Sequence, residues 1–159
     1  MPWLIALAAA SMGFLVLNWP PAKVFMGDAG SNYLAVILLA LALFEIAAGR
    51  LSYTTVLVLV ASFVTDATIT LLRRALAGER WFAAHRLHAY QKLSRRWHEH
   101  RPVTLLYLAI NLIWLYPLAY LTTVFPQYGW LAVGTAYVPL AFLCIRVGAG
   151  VPETETGNI

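Results

Sequence analysis

The sequence predicts an all-α, polytopic membrane helix bundle of about five transmembrane helices with a basic cytoplasmic loop. Three observations predict it. The 159 residues are 61% hydrophobic and only 11% charged, whereas a soluble domain of this size carries about 25% charged residues. The apolar residues come in unbroken runs: no charged residue falls between Arg101 and Arg146, or between Leu51 and Thr65. A bilayer span needs roughly 20 such residues. The cationic residues gather in one segment, 73–101, which holds Arg73, Arg74, Arg80, Arg86, Lys92, Arg95, Arg96 and Arg101.

The first expected span covers residues 3–17. It has the apolar character of a secretory leader but neither a cationic start nor a small-residue cleavage site, so it reads as a membrane helix. Pro20-Pro21 stops it, because proline lacks an N–H and cannot continue a helix. The second span covers 31–48, and Gly49-Arg50-Leu51-Ser52 forms a tight turn. The third covers 53–72. After the basic segment the fourth covers 103–124, kinked at Pro117, and the fifth ends near Ile145. The membrane-embedded part is thus 1–147, with cytoplasmic loops at about 18–30 and 73–102. The acidic residues 148–159 are expected to form a disordered cytoplasmic tail.

Placement of Lys and Arg sets the orientation. The 73–101 segment, the 18–30 loop and the tail face the cytoplasm, and the opposite side holds only Arg50. The six tryptophans fall mostly near span ends, as an aromatic belt does. The single cysteine, Cys144, lies in an apolar run and offers neither a disulfide framework nor a metal cluster. A basic segment lying against a membrane argues against nucleic-acid binding. Five spans without an internal repeat argue against a small ion-coupled transporter.

Three constellations could carry chemistry. In the run from Pro21 to Ser31, Gly27 and Gly30 let the backbone approach a ligand closely. Asp28 is a carboxylate of the kind that holds Mg²⁺ beside a phosphate. Lys23 offers a point charge to phosphate, and the N–H groups at the helix start, around Ser31, favour an anion. The competing reading is plain helix capping by Asp28 or Ser31. The second constellation is Asp66, inside the third span about two turns before Arg73. An intramembrane carboxylate faces either a functional cavity or a partner helix that it ties into the bundle. The third is His85-Arg86-Leu87-His88-Ala89-Tyr90-Gln91. On a helix, His85, His88, Lys92 and Arg95 would share one face and Leu87, Tyr90, Leu93 and Trp97 the other. The cationic face suits phosphate or anionic lipid head groups; two histidines alone do not make a zinc site. His98 and His100 read as interfacial residues.

Together these runs resemble a known family. Phe25-Met26-Gly27-Asp28-Ala29-Gly30-Ser31 before an apolar span, Asp66 followed by Arg73-Arg74, and the His85–Gln91 run are similar, in order and spacing, to the polyprenyl-phosphate N-acetylaminosugar-1-phosphate transferases. These belong to glycosyltransferase family 4 and include phospho-N-acetylmuramoyl-pentapeptide transferase; the histidine run takes the form seen in O-antigen-type members. The resemblance covers residues 1–147. It implies transfer of a sugar-1-phosphate from a UDP-aminosugar to polyprenyl (undecaprenyl) phosphate, with release of UMP, at the cytoplasmic face of the bacterial inner membrane. It implies Mg²⁺ as cofactor, with Mn²⁺ as the alternative. By the resemblance Asp28 is a catalytic carboxylate or metal ligand, and His85 and His88 are catalytic. Lys23, Gly27, Gly30, Ser31, Asp66, Arg73, Arg86, Tyr90 and Gln91 contact substrate. Family members are about twice as long and carry an early aspartate pair, whereas the only aspartates here are Asp28 and Asp66. The chain is therefore expected to correspond to the C-terminal half and to be inactive alone, as a fragment, as a half that pairs with an N-terminal half or a second copy, or as an inactive remnant. The expectation from another class is a non-catalytic membrane module that binds anionic lipid or a partner through its basic loop.

Overall fold

The structure, a computed structural model, describes residues 2–79 and 86–152. It divides into two units, Met1–Phe44 and Glu45–Ile159. Every regular element among the described residues is helical.

The first unit holds α1 (Pro2–Asn18) and most of α2 (Gly27–Ala47). Between them the chain is closed by local bonds: Lys23 N–H donates to Leu17 O at 2.9 Å, and Asn18 Nδ2 donates to Val24 O at 2.7 Å. None of the α2 side chains is buried, and Val36, Leu38, Leu39, Leu43 and Phe44 are all exposed. An all-round apolar helix with no buried face is at home in hydrocarbon rather than water.

The second unit contains α3 (Tyr53–Leu59), α4 (Ala61–Leu76), α5 (Ala89–Trp97), α6 (Arg101–Ala109), a π-helical stretch (Ile110–Leu115), α7 (Tyr116–Val124), a 3₁₀ turn (Pro126–Tyr128) and α8 (Gly129–Val147). The α2–α3 turn is fastened by the Glu45–Arg50 ion pair, and the Glu45 carboxylate raises the pKa of the Arg50 guanidinium above its usual value. Ser52 caps α3 by accepting the Thr55 N–H at 3.1 Å. Helix α4 packs on α8, and α3 packs on α7 and α8. Val58, Ala61, Leu115, Ala119, Ala136 and Leu140 form the core of these contacts. Small residues there let the backbones approach closely, which is how helices associate without water to drive them together. Thr55 and Thr122 add a buried hydroxyl pair, 2.7 Å apart, between α3 and α7.

The span count differs from the five expected. Among the described residues three helices are long and apolar enough to cross a membrane (Gly27–Ala47, Arg101–Val124 and Pro126–Val147), or four if the bent α3–α4 pair is one span; α1 is a shorter apolar helix. The third expected span, 53–72, breaks at Val60 with a 71° bend. The run Thr54-Thr55-Val56 with Val58 and Val60 is β-branched, which weakens helix propensity. Tyr137 Oη donates to Leu57 O at 3.0 Å, taking the carbonyl that an unbroken helix would offer to Ala61. The fourth span is one helix, as expected, but its irregularity is the wide turn at 110–115 rather than a sharp kink. Pro117 has no N–H for the Ile113 carbonyl and its ring would crowd it; a looser turn just before the ring relieves both.

The tail also departs from expectation at its start. Ala149 is fully buried, and Ala149 to Val151 are hydrogen-bonded to the bundle. Residues 153–159 lie outside the described residues.

Candidate functional site

In the first unit, Gly27 opens α2 with a left-handed φ of 64°, a conformation that glycine adopts at little cost. The turn places Asp28 in the first turn of α2, where a negative charge is favoured by the helix dipole. Lys23, Gly27, Asp28 and Ser31 are exposed and Gly30 is half-buried. Ser31 Oγ donates to the Asp28 carbonyl at 3.1 Å, so Ser31 is spent on its own helix turn. Among the described residues the Asp28 carboxylate makes no hydrogen bond or ion pair.

Asp66 is the opposite case. It is 4% exposed and surrounded by donors. Its Oδ1 accepts from Ala89 N–H at 2.8 Å and Thr70 Oγ1 at 3.1 Å. Its Oδ2 accepts from Tyr90 N–H at 3.4 Å and Tyr107 Oη at 3.5 Å. His88 Nδ1 stands 3.5 Å from Oδ1. A buried carboxylate is tolerable only with such compensation. Here the donors include the first two N–H groups of α5, so Asp66 of α4 caps another helix and meets the positive end of its dipole.

That cap fixes the start of the histidine run. His88 N–H donates to Gln91 Oε1 at 3.3 Å, the reciprocal half of a capping box. The His88 and Tyr90 rings stack with centroids 5.9 Å apart. Tyr90 and Arg86 present their side chains to the outside, and the Arg86 carbonyl accepts from Arg95 Nη2 at 2.9 Å. Arg73 Nη1 donates to the Ala149 carbonyl at 3.0 Å. The structure thus brings Asp66, His88, Tyr90 and Gln91 together, with Arg73 about two turns further along α4. His85 lies outside the described residues.

The expected cationic face is not realised as drawn. Helix α5 starts at Ala89, and Lys92 is 8% exposed. Its Nζ donates to the Val151 carbonyl at 2.5 Å. His100 pairs with Ser94 through Nδ1 and Oγ at 2.6 Å, and His98 ends α5 in a left-handed conformation with φ 55°. Tyr107, Thr70 and Ala149 escaped the sequence reading. Tyr107 and Thr70 carry a weak signal: Thr70 lies one helical turn after Asp66, and Tyr107 is a polar ring inside an apolar span. Among the described residues no three His, Cys, Asp or Glu side chains are grouped as a metal site.

Fold and site together define a multi-pass helical membrane protein with an exposed carboxylate at a glycine-rich helix entry and a basic histidine segment capped by a buried one. Residues 1–46 match glycosyl transferase family 4. The chain is 32% identical over 125 residues to decaprenyl-phosphate N-acetylglucosaminephosphotransferase of Mycobacterium tuberculosis, covering 69% of this chain and 30% of that relative. It is 28% identical over 111 residues to the probable undecaprenyl-phosphate N-acetylglucosaminyl 1-phosphate transferase of Bacillus subtilis, covering 69% and 31%. It is 32% identical over 109 residues to phospho-N-acetylmuramoyl-pentapeptide-transferase of Bacillus pumilus, covering 66% and 32%. No solved structure matches the chain. These matches are a likeness to glycosyl transferase family 4 over part of the chain. The chain spans about a third of the length of the curated relatives it matches.

Proposed function

We propose that the chain forms part of an enzyme that moves an N-acetylaminosugar-1-phosphate from a UDP-sugar to polyprenyl phosphate. The reaction would take place at the cytoplasmic face of a bacterial inner membrane. An oxygen of the lipid phosphate attacks the sugar-linked phosphorus, the bond to the UMP oxygen breaks, and a sugar-diphosphate-lipid and UMP remain. The observation that carries this reading is the capped segment 87–90: its backbone is held by a buried carboxylate while Arg86 and Tyr90 face outward. A fixed cationic and imidazole-bearing segment stabilises phosphate charge without reorganising, which is the main task in phosphoryl transfer. The named activities of the relatives agree with it.

The roles follow from the surroundings of each side chain. Asp28 has both carboxylate oxygens available and fits Mg²⁺ as one protein ligand, the rest being phosphate oxygens and water, as is usual for that ion. Bound there, the ion would neutralise phosphate charge. Asp66 does not fit a metal, because its oxygens already accept N–H and O–H donors. Lys23 and Arg86 are exposed cations suited to phosphate. His88, with His85, is assigned to the nucleotide phosphates. Apolar helices such as α2 offer the prenyl chain a hydrocarbon surface.

The test uses the purified chain in nanodiscs. Mg²⁺-dependent binding of UDP-N-acetylhexosamine is expected, and Asp28→Asn should weaken it about tenfold. With undecaprenyl phosphate added, no lipid-linked sugar is expected, since the chain contains no adjacent aspartates. Binding indifferent to both Mg²⁺ and Asp28→Asn would sink the reading and favour a module that holds anionic lipid through Arg86, Arg95 and Arg96. Turnover by the chain alone would overturn its expected dependence on further protein.

A further inference from the structure

The chain does not leave the bundle where α8 ends. Gly148 closes the helix with φ 84°, and Ala149 N–H returns to Cys144 O at 2.9 Å. The next residues then lie along α4 and the histidine segment. Ala149 O receives Arg73 Nη1 at 3.0 Å, Gly150 N–H donates to Leu87 O at 2.9 Å, and Val151 O receives Lys92 Nζ at 2.5 Å.

Gly150 is the critical position. Its φ is 76°, and a Cβ there would stand 2.6 Å from Thr70 O and 3.1 Å from Thr70 Cα. Both obstacles are backbone of α4 and cannot swing aside. Gly148 also has positive φ, but a Cβ there would meet only the far end of Lys92, at 3.5 Å. One glycine therefore serves the turn; the other serves the turn and a backbone-on-backbone approach.

Leu87 immediately precedes His88. The segment is consequently held at four successive residues: Leu87 C=O by Gly150, His88 N–H by Gln91, and Ala89 and Tyr90 N–H by Asp66. Lys92 and Arg73, which read in the sequence as phosphate-facing cations, fasten the carbonyls that follow α8, where cations are favoured.

We propose that the Gly148–Val151 turn is a positioning element which, with Asp66, sets the orientation of His88. Gly150, Ala149, Asp66 and Lys92 thereby govern the phosphate-binding segment without touching substrate. The inference rests on the assignment of His88 to nucleotide phosphates.

The test uses the full chain in nanodiscs and two readouts taken without nucleotide: hydrogen exchange of the 86–92 amides and the ¹³C–¹H signal of the His88 imidazole. Asparagine tolerates positive φ, so Gly148→Asn and Gly150→Asn both keep the turn, while only the second collides with Thr70. Gly150→Asn is expected to speed exchange at Ala89 and Tyr90 about tenfold and to shift the His88 signal, with exchange in α7 unchanged. Asp66→Asn should act the same way and Gly148→Asn should resemble wild type. Should Gly150→Asn unfold the chain, Lys92→Met adds no bulk, releases the Val151 carbonyl, and is expected to give about threefold faster exchange. Unchanged 86–92 exchange in Gly150→Asn, or in Lys92→Met where that variant is needed, overturns the proposal. So does faster exchange in Gly150→Asn with UDP-N-acetylhexosamine affinity equal to wild type. If the wild-type chain binds no nucleotide sugar while exchange responds as expected, the transferase reading fails and the clamp stands.

Discussion

The chain's two aspartates, one on α2 and one on α4, are opposites in every respect that decides what a carboxylate can do. Asp28 sits exposed at a helix entry, and its oxygens are uncommitted among the described residues. Asp66 is buried, and its oxygens accept from two backbone N–H groups and two hydroxyls. The same side chain is thus left exposed in one place and used as a helix cap in the other. The difference teaches that an ionisable residue in a membrane span is not by that fact alone a substrate residue; the donors around it decide. Asp66 acts on the histidine segment through its backbone, at Ala89 and Tyr90.

The largest way to break this contrast is to remove each carboxylate in turn. Asp66→Ala leaves the first N–H groups of α5 without a partner and is expected to cost about 3 kcal/mol, read as a lowered unfolding midpoint in detergent. Asp28→Ala should cost only about 0.5 kcal/mol, through the helix dipole, while reducing Mg²⁺-dependent nucleotide-sugar binding. Equal stability losses would erase the distinction. A smaller effect is expected at the α3–α4 bend. Tyr137→Phe strands the Leu57 carbonyl and should cost about 1 kcal/mol, in the same unfolding assay. The smallest belongs to the α2–α3 turn, where Glu45→Gln breaks an exposed ion pair with Arg50 and should leave the midpoint unmoved.

The helical membrane class was legible from the sequence because uninterrupted apolar runs and clustered cations are properties of composition. The break at Val60 was not, because neither proline nor glycine marks it; it is accompanied by a bond from Tyr137, 80 residues beyond Leu57. The glycine-rich run at 27–30 and the histidine segment were legible as motifs. Their geometry was only half so. The competing reading of Asp66 as a tie between helices is the one its hydrogen bonds display. Lys92 followed the expected helical periodicity on paper, yet the residues that bury it, Gly148 to Val151, come from the far end of the chain. Sequence spacing shows which side chains share a helix face. It cannot show which distant backbone will cover that face.

The wide turn at Ile110–Leu115 has a consequence for how a membrane helix keeps its stripe straight. Tyr107, Asn111 and Leu115 are spaced by four, and in regular α geometry each such step runs ahead by about 40°. Loosening one turn takes that advance back. Tyr107 and Asn111 can therefore face Asp66 and Ser62 on α4, and Leu115, fully enclosed, can fill the core beneath. Losing a single residue there would rotate one half of the span against the other by about 100°, turning either the aromatic hydroxyl or the core leucine toward lipid.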